Sequence, residues 1–245
     1  MAFKGKHAIV TGGANGIGLQ VVKQLLMHDV HKVAIIDLQD NLEEIVILRA
    51  AFPAQHLLLI KMDVANAKGI EATYEEILKT FGHLDIVVNV AGLFNDQDVQ
   101  RTLMVNLGGM INSTLNAMKA MSKEKGGKGG IICNMASVVG LDPMFLVPIY
   151  AATKAGIINF TRCLGKEIYY QRHGVKFITV CPEMSDESYL VLDRLNKQSA
   201  ADVSRCILSA LEKQENGAVY IIEGKRLFPI DMKRYWTGIE KELNE

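Results

Sequence analysis

The run His7-Ala8-Ile9-Val10-Thr11-Gly12-Gly13-Ala14-Asn15-Gly16-Ile17-Gly18 decides the fold. Its first five residues centre on the apolar Ala8, Ile9 and Val10 and are rich in β-branched side chains, which predicts a strand over His7–Thr11. A glycine-rich turn follows, and helical apolar spacing begins inside it, over Gly16–His28. Glycines permit a tight turn and close approach of a ligand to the backbone. The N-terminus of the helix then presents N–H groups and a positive dipole end, which suits a pyrophosphate. A strand running through glycines straight into a helix therefore predicts a dinucleotide cradle built from Thr11, Gly12, Asn15, Gly16, Ile17 and Gly18.

The same alternation continues outward. Strands are predicted over Lys32–Asp37, His56–Asp63, Leu84–Asn89, Gly130–Ala136, Val175–Cys181 and Ala218–Glu223. Helices are predicted over Asn41–Ala51, Lys68–Phe81, Gln97–Ser122, Ile149–Arg172 and Ala201–Lys213. The strands lack polar alternation, so both of their faces are buried, as in a parallel sheet covered by helices. The expected fold is a doubly wound α/β sheet of seven strands in a single domain over residues 1–245. The tail, Pro229–Glu245, shows little pattern.

Composition excludes several functions. Lys+Arg and Asp+Glu balance at 27 each, which gives no basic excess for nucleic acid or an anionic membrane. Four scattered cysteines form neither a CxxC pair nor a Cys/His ligand spacing, so reduced thiols and no metal are expected. There is no apolar run of spanning length and no signal-peptide pattern at the start, so a cytoplasmic location is expected.

Two further elements carry chemistry. Asp37 ends the second predicted strand, nineteen residues past Gly18. A carboxylate there accepts hydrogen bonds from ribose hydroxyls and repels a 2′-phosphate. Its neighbours Ala14, Asn15, Leu38 and Gln39 include no cation, which points to NAD rather than NADP. Tyr150 and Lys154 lie four residues apart, on one face of a helix, thirteen residues after Ser137. A nearby ammonium favours the phenolate, so a lowered tyrosine pKa and a general base are expected. Tyr-x-x-x-Lys alone is a weak signal, and the glycine cradle and Ser137 at the carboxyl edge of the fifth strand supply its context. Leu93, Phe94, Met144, Phe145, Leu146 and Val147 are candidates for an apolar substrate wall, with core packing as the equal alternative for each.

These residues together resemble the short-chain dehydrogenase/reductase family over nearly the whole chain. The motifs are TGGANGIG (Thr11–Gly18), Asp63-Val64, NVAG (Asn89–Gly92), Asn106, Ser137 and YAATK (Tyr150–Lys154), with Val90 where the family usually has asparagine. The resemblance implies that Asp63 and Val64 hold the adenine, and that Asn89, Ala91, Gly92 and Pro182 lie along the cofactor. It also implies a catalytic set of Asn106, Ser137, Tyr150 and Lys154, with Asn106 holding a relay water. Phe81–Gly92 and Gly126–Leu141 resemble the branch of insect alcohol dehydrogenases and 15-hydroxyprostaglandin dehydrogenases. Lys32–Pro53 and Leu192–Leu208 resemble insect photoreceptor dehydrogenases. The implied activity is NAD-linked oxidation of an apolar alcohol of retinol type, by a homodimer or tetramer paired through the two long helices. The alternatives are a short-chain alcohol or hydroxyprostaglandin substrate, or a non-catalytic retinoid or lipid carrier on the same scaffold. The chain departs from the family after Pro182, where about twenty residues of a substrate lid have no counterpart. Either the lid is truly shortened, or the 245 residues do not include a mobile lid. The intact catalytic positions favour the second.

Overall fold

The computed structural model describes residues 3–40, 42–53, 55–183 and 197–233. The strands are β1 (His7–Thr11), β2 (Lys32–Asp37), β3 (His56–Lys61), β4 (Ile86–Asn89), β5 (Gly130–Met135), β6 (Val175–Pro182), β7 (Val219–Glu223) and β8 (Arg226–Ile230). They form one sheet in the order β3-β2-β1-β4-β5-β6-β7-β8. All neighbours are parallel except β7 and β8. The order reverses between β1 and β4, so the crevice outside their carboxyl ends is the ligand-binding position of a doubly wound sheet.

Successive strand residues feed opposite layers, as the two-residue period of a strand requires. Ala8 and Val10 pack with α1 (Gly16–Met27), α2 (Leu42–Ala51) and α8 (Ala200–Lys213). Ile9, between them, packs on the other face with α3 (Ala67–Phe81) and α5 (Met110–Met121). Both faces are thus apolar, which is why these strands read as continuous hydrophobic runs.

Three differences from the sequence reading have physical causes. An eighth strand exists at the β7 edge, joined through Gly224 and Lys225, both with positive φ (53° and 67°). Two positive-φ residues make the primed turn that closes a two-residue hairpin. Its residues are mostly solvent-facing and include Pro229, so no apolar run announces it. Next, the predicted helix over Gln97–Ser122 is α4 (Val99–Thr102) running through a π-helical stretch, Leu103–Gly109, into α5. Last, the helix predicted over Ile149–Arg172 is two: α6 (Pro148–Leu164) and α7 (Glu167–His173). It breaks at Gly165, where a side-chain Cβ would lie 2.4 Å from the Gly217 Cα, and the Gly165 carbonyl accepts a bond from Asn216 Nδ2 at 3.0 Å. Among the described residues, no helix is long and apolar enough to cross a membrane. The lid position falls almost wholly on 184–196, outside the described residues.

Candidate active site

The glycine turn is fixed by close contacts. Gly12 has φ +68°, and a Cβ on it would lie 2.8 Å from the Ala91 backbone. A Cβ on Gly18 would lie 1.9 Å from the Gly12 carbonyl oxygen. Only glycine therefore lets the start of α1 fold back against its own turn. Asn15 caps α1 in extended conformation, and the first turn carries no acid to compete for the helix dipole. Asp37 sits beside this loop. Its carboxylate accepts the Ala14 N–H at 2.9 Å and the Gln39 N–H at 3.0 Å. Asn15 Nδ2 donates to Gln39 Oε1 at 3.0 Å, so the β2 end and the cradle are tied together.

Across the crevice, Asp63 accepts the Ala65 N–H at 3.0 Å and Arg101 Nη1 at 2.8 Å. Partial burial works against its charge, yet the Arg101 bond and the Ala65 N–H outweigh that, and its carboxyl is held below the usual range. Val64 is buried beneath it, against Gly109 of the π stretch. Arg101 carried no signal in the sequence.

Asn89, expected along the cofactor, turns its side chain into the interior. Its Nδ2 donates to Asn134 Oδ1 at 2.8 Å and to Thr114 Oγ1 at 3.2 Å. Its Oδ1 accepts Ser113 Oγ at 2.6 Å and Thr11 Oγ1 at 3.3 Å. Asn134 Nδ2 donates onward to Thr161 Oγ1 at 2.9 Å, and Tyr74 OH pairs with Ser113 Oγ at 2.8 Å. Every member is satisfied, which makes such a buried network a rigid floor rather than a liability. Asn89 supports the cleft from beneath, while Ala91 and Gly92 reach its surface.

Asn106 lies in the π stretch and is fully buried. Its side chain clamps Leu93 at both polar atoms, accepting the N–H and donating to the carbonyl, each at 2.8 Å. It also donates to Thr153 Oγ1 at 3.4 Å. Single π turns inside α-helices recur at functional sites, and here the turn puts Asn106 beside the segment that follows β4.

Ser137, Tyr150 and Lys154 converge. The Ser137 hydroxyl hydrogen-bonds the Tyr150 phenol and also donates to the Pro182 carbonyl at 3.4 Å. Lys154 Nζ lies 5.2 Å from the Tyr150 ring centre and donates to the Met135 carbonyl at 3.2 Å. A Cβ on Gly92 would lie 3.7 Å from that ammonium nitrogen, so the lysine faces the cradle side of the cleft. The expected fall in the tyrosine pKa is reversed in the protein alone. Burial pushes the Tyr150 phenol up to about 12, and the Ser137 hydroxyl pulls only weakly the other way. Burial likewise lowers Lys154 to about 8, with the nearby Cys181 thiol acting slightly against it. Removing both groups from water disfavours both charges more than one ammonium favours one phenolate.

A residue that the sequence did not reveal holds the tyrosine in place. Asp96 accepts the Ile149 N–H at 2.8 Å and the Tyr150 N–H at 2.9 Å. Two residues earlier, Phe94 packs on the Tyr150 ring at 4.8 Å between centres. The other wall candidates divide. Leu93 and Met144 are half-buried, Val147 is 3% exposed and belongs to the core, and Phe145 is 88% exposed.

A profile of the family described as short chain dehydrogenase matches residues 6–199. The chain belongs to the short-chain dehydrogenase family. It is 31% identical to alcohol dehydrogenase 1 of Ceratitis capitata over 253 residues, covering 96% of this chain and 98% of that one. It is 38% identical to the 15-hydroxyprostaglandin dehydrogenase [NAD(+)] of Mus musculus over 225 residues, covering 90% of this chain and 76% of that one. A short-chain dehydrogenase from Burkholderia cenocepacia, solved in complex with NADP, superposes with a TM-score of 0.78 at 25% identity, covering 91% of this chain and 98% of that one. The family assignment makes this an oxidoreductase scaffold.

Proposed function

We propose that this member of the family oxidises an apolar alcohol of retinol type to its carbonyl, with NAD as the cofactor. The observation that carries the reading is the convergence of Ser137, Tyr150 and Lys154 at the carboxyl edge of the sheet, beside the glycine cradle. The residues fit a dinucleotide: a glycine turn that only glycine can adopt, a helix dipole free of acid, and a carboxylate at the end of β2. Thr11–Gly18 would hold the pyrophosphate, Asp37 the adenosine ribose, and Asp63 with Val64 the adenine. The absence of Lys or Arg at positions 14, 15, 38 and 39 favours NAD over NADP.

When bound, NAD supplies the hydride acceptor. The protein's part is to hold and move a proton. Ser137 orients the alcohol oxygen, Tyr150 takes the hydroxyl proton, and Lys154 carries charge toward the phenolate from beneath. Asn106 fixes the Leu93 segment and holds the proton relay open toward Lys154. A phenol near 12 is a base in waiting, and positive charge entering the cleft must lower it before it works near neutral pH. Leu93, Phe94 and Met144 give the cleft an apolar side that suits a lipid-like alcohol better than a sugar. Residues 1–245 form a single dinucleotide-binding oxidoreductase domain, and the lid position after Pro182 lies outside the described residues. It works in the cytoplasm as a homodimer, with Val99, Leu103, Met104 and Leu115, all exposed on the long helix, as the apolar pairing face.

NADH formation, followed by absorbance across retinol, short-chain alcohols and a hydroxyprostaglandin, tests the reading. Turnover highest with retinol and NAD supports it. Tight retinol binding with no turnover on any alcohol replaces it with the carrier reading, which the high phenol pKa favours.

A further inference from the structure

We propose that His7, His83 and Asp85 form a site for a divalent transition metal of the zinc class, at the amino edge of the sheet. That edge is the end opposite Tyr150. A five-residue strand spans about 17 Å, so the site lies well away from the catalytic cleft.

The sequence and the register assemble it. Ala8 pairs with Ile86 in the β1–β4 ladder, and this sets His7 beside Asp85. The Asp85 N–H donates to the His7 carbonyl at 3.0 Å, and the His7 N–H donates back to Asp85 Oδ2 at 2.9 Å. His83 and Asp85 flank Leu84, whose side chain enters the core, so the two polar side chains fall on one side of the segment entering β4. His83 Nε2 is 3.2 Å from Asp85 Oδ2, and the His7 and His83 imidazoles lie 4.0 Å apart between centres with their planes tilted by 32°. The three ligand atoms all lie within 4.8 Å of one another. A tetrahedral ion at its usual bond lengths needs separations of about 3.4 Å, which small side-chain rotations supply.

Two features distinguish this cluster from a chance meeting of polar groups. His7 Nδ1 lies 3.2 Å from the His83 carbonyl oxygen. With that nitrogen donating, Nε2 is left with its lone pair, the arrangement by which a second ring nitrogen orients a metal-binding histidine. His7 and Asp85 are 6% and 7% exposed, while His83 stands partly in solvent, so two ligands are held rigid and the third can close from the surface. Two imidazoles and one carboxylate suit zinc, cobalt or nickel rather than magnesium or calcium, which want oxygen alone. Lys6 Nζ pairs with Asp85 Oδ1 at 3.0 Å and competes for the carboxylate, but its side chain is 47% exposed and free to swing outward. Bound metal would tie β1 to the α3–β4 connection and stabilise the chain without touching its chemistry.

The full-length chain, stripped with a chelator, is titrated with zinc chloride by calorimetry and with cobalt(II) by visible absorbance. The expected result is one equivalent of either ion, a raised Tm in zinc, and affinity at least about tenfold weaker in both H83A and D85N. The His83 ring stands partly in solvent, so H83A is expected to fold and its alcohol dehydrogenase turnover to match the parent. No saturable binding by the parent overturns the site. So does unchanged affinity in H83A, which would put the ion on another histidine.

Discussion

Asp96 holds the backbone of Tyr150. Its two carboxylate oxygens accept the first two N–H groups of α6, from Ile149 and Tyr150. Pro148, at the first position of the helix, has no N–H to offer, so the carboxylate meets the first donors that exist. The negative charge also sits at the positive end of the helix dipole. Phe94 packs on the Tyr150 ring from the same short segment. One loop therefore sets both the axial position of the helix and the tilt of the phenol. Replacing Asp96 with Ala should cost about 1 kcal/mol of stability as a lost cap and lower kcat about tenfold or more through misplacement of the phenol. Denaturant melts and steady-state kinetics check this. NAD affinity measured by fluorescence should hardly change.

Tyr150→Phe removes the phenol oxygen proposed to accept the alcohol proton. Turnover should fall by a factor of about a hundred or more, with NAD binding retained because the ring and its Phe94 contact remain. Single-turnover NADH formation reads the result. Activity near that of the parent would refute the assignment of the base.

The strands and the cradle were legible because both obey local rules. Ile9 and Val10 serve opposite layers, yet both are apolar because both layers are helices. The convergence of Ser137, Tyr150 and Lys154 was legible as spacing. Asp96 was not, because it acts on a helix 53 and 54 residues further along the chain, and a loop aspartate carries no periodicity. The π turn around Asn106 was hidden for a related reason: one extra residue per turn does not disturb the apolar pattern enough to see. The direction of the Tyr150 pKa was misjudged because charge proximity can be read from spacing, whereas depth of burial cannot.

Lys154 should make the protein's stability depend on pH in a definite window. Its folded value is about 8 against an ordinary 10.5. Between those values the native chain binds fewer protons than the unfolded chain, so this group makes stability rise with pH there. Below pH 8 both states are protonated and the burial cost is felt in full. Lys154→Met should therefore stabilise the cofactor-free protein at pH 7 by about 2 kcal/mol, abolish turnover, and flatten the pH dependence of stability between 8 and 10.5. Chemical denaturation of both forms across that range makes the test. A Met variant less stable than the parent at pH 7 would contradict the direction.

Asp37 should decide cofactor choice. Its carboxylate holds the Ala14 and Gln39 N–H groups, so it is fixed beside the glycine turn, where the proposed reading puts the adenosine ribose. Asp37→Ser keeps one acceptor for the loop and removes the repulsion. NADP should then gain and NAD lose, shifting the ratio of their kcat/KM values by about tenfold or more. A ratio that stays constant would mean that the phosphate is excluded by shape rather than charge.

The floor beneath the cleft makes the last prediction. Asn134 links Asn89 to Thr161 and also accepts a bond from Thr114. Replacing it with Ala leaves at least one buried donor on Asn89 without a partner, together with a small void. The expected loss is about 3 kcal/mol. Asn134→Asp has nearly the same shape and keeps an acceptor toward Asn89 and Thr114. It loses the donor to Thr161 and buries a charge, so it should be comparably destabilised at pH 7 and partly recover as the carboxyl protonates at lower pH. Melting both variants from pH 5 to 8 separates a network that works through hydrogen bonds from one that merely fills space: the second gives two variants with no difference in pH response.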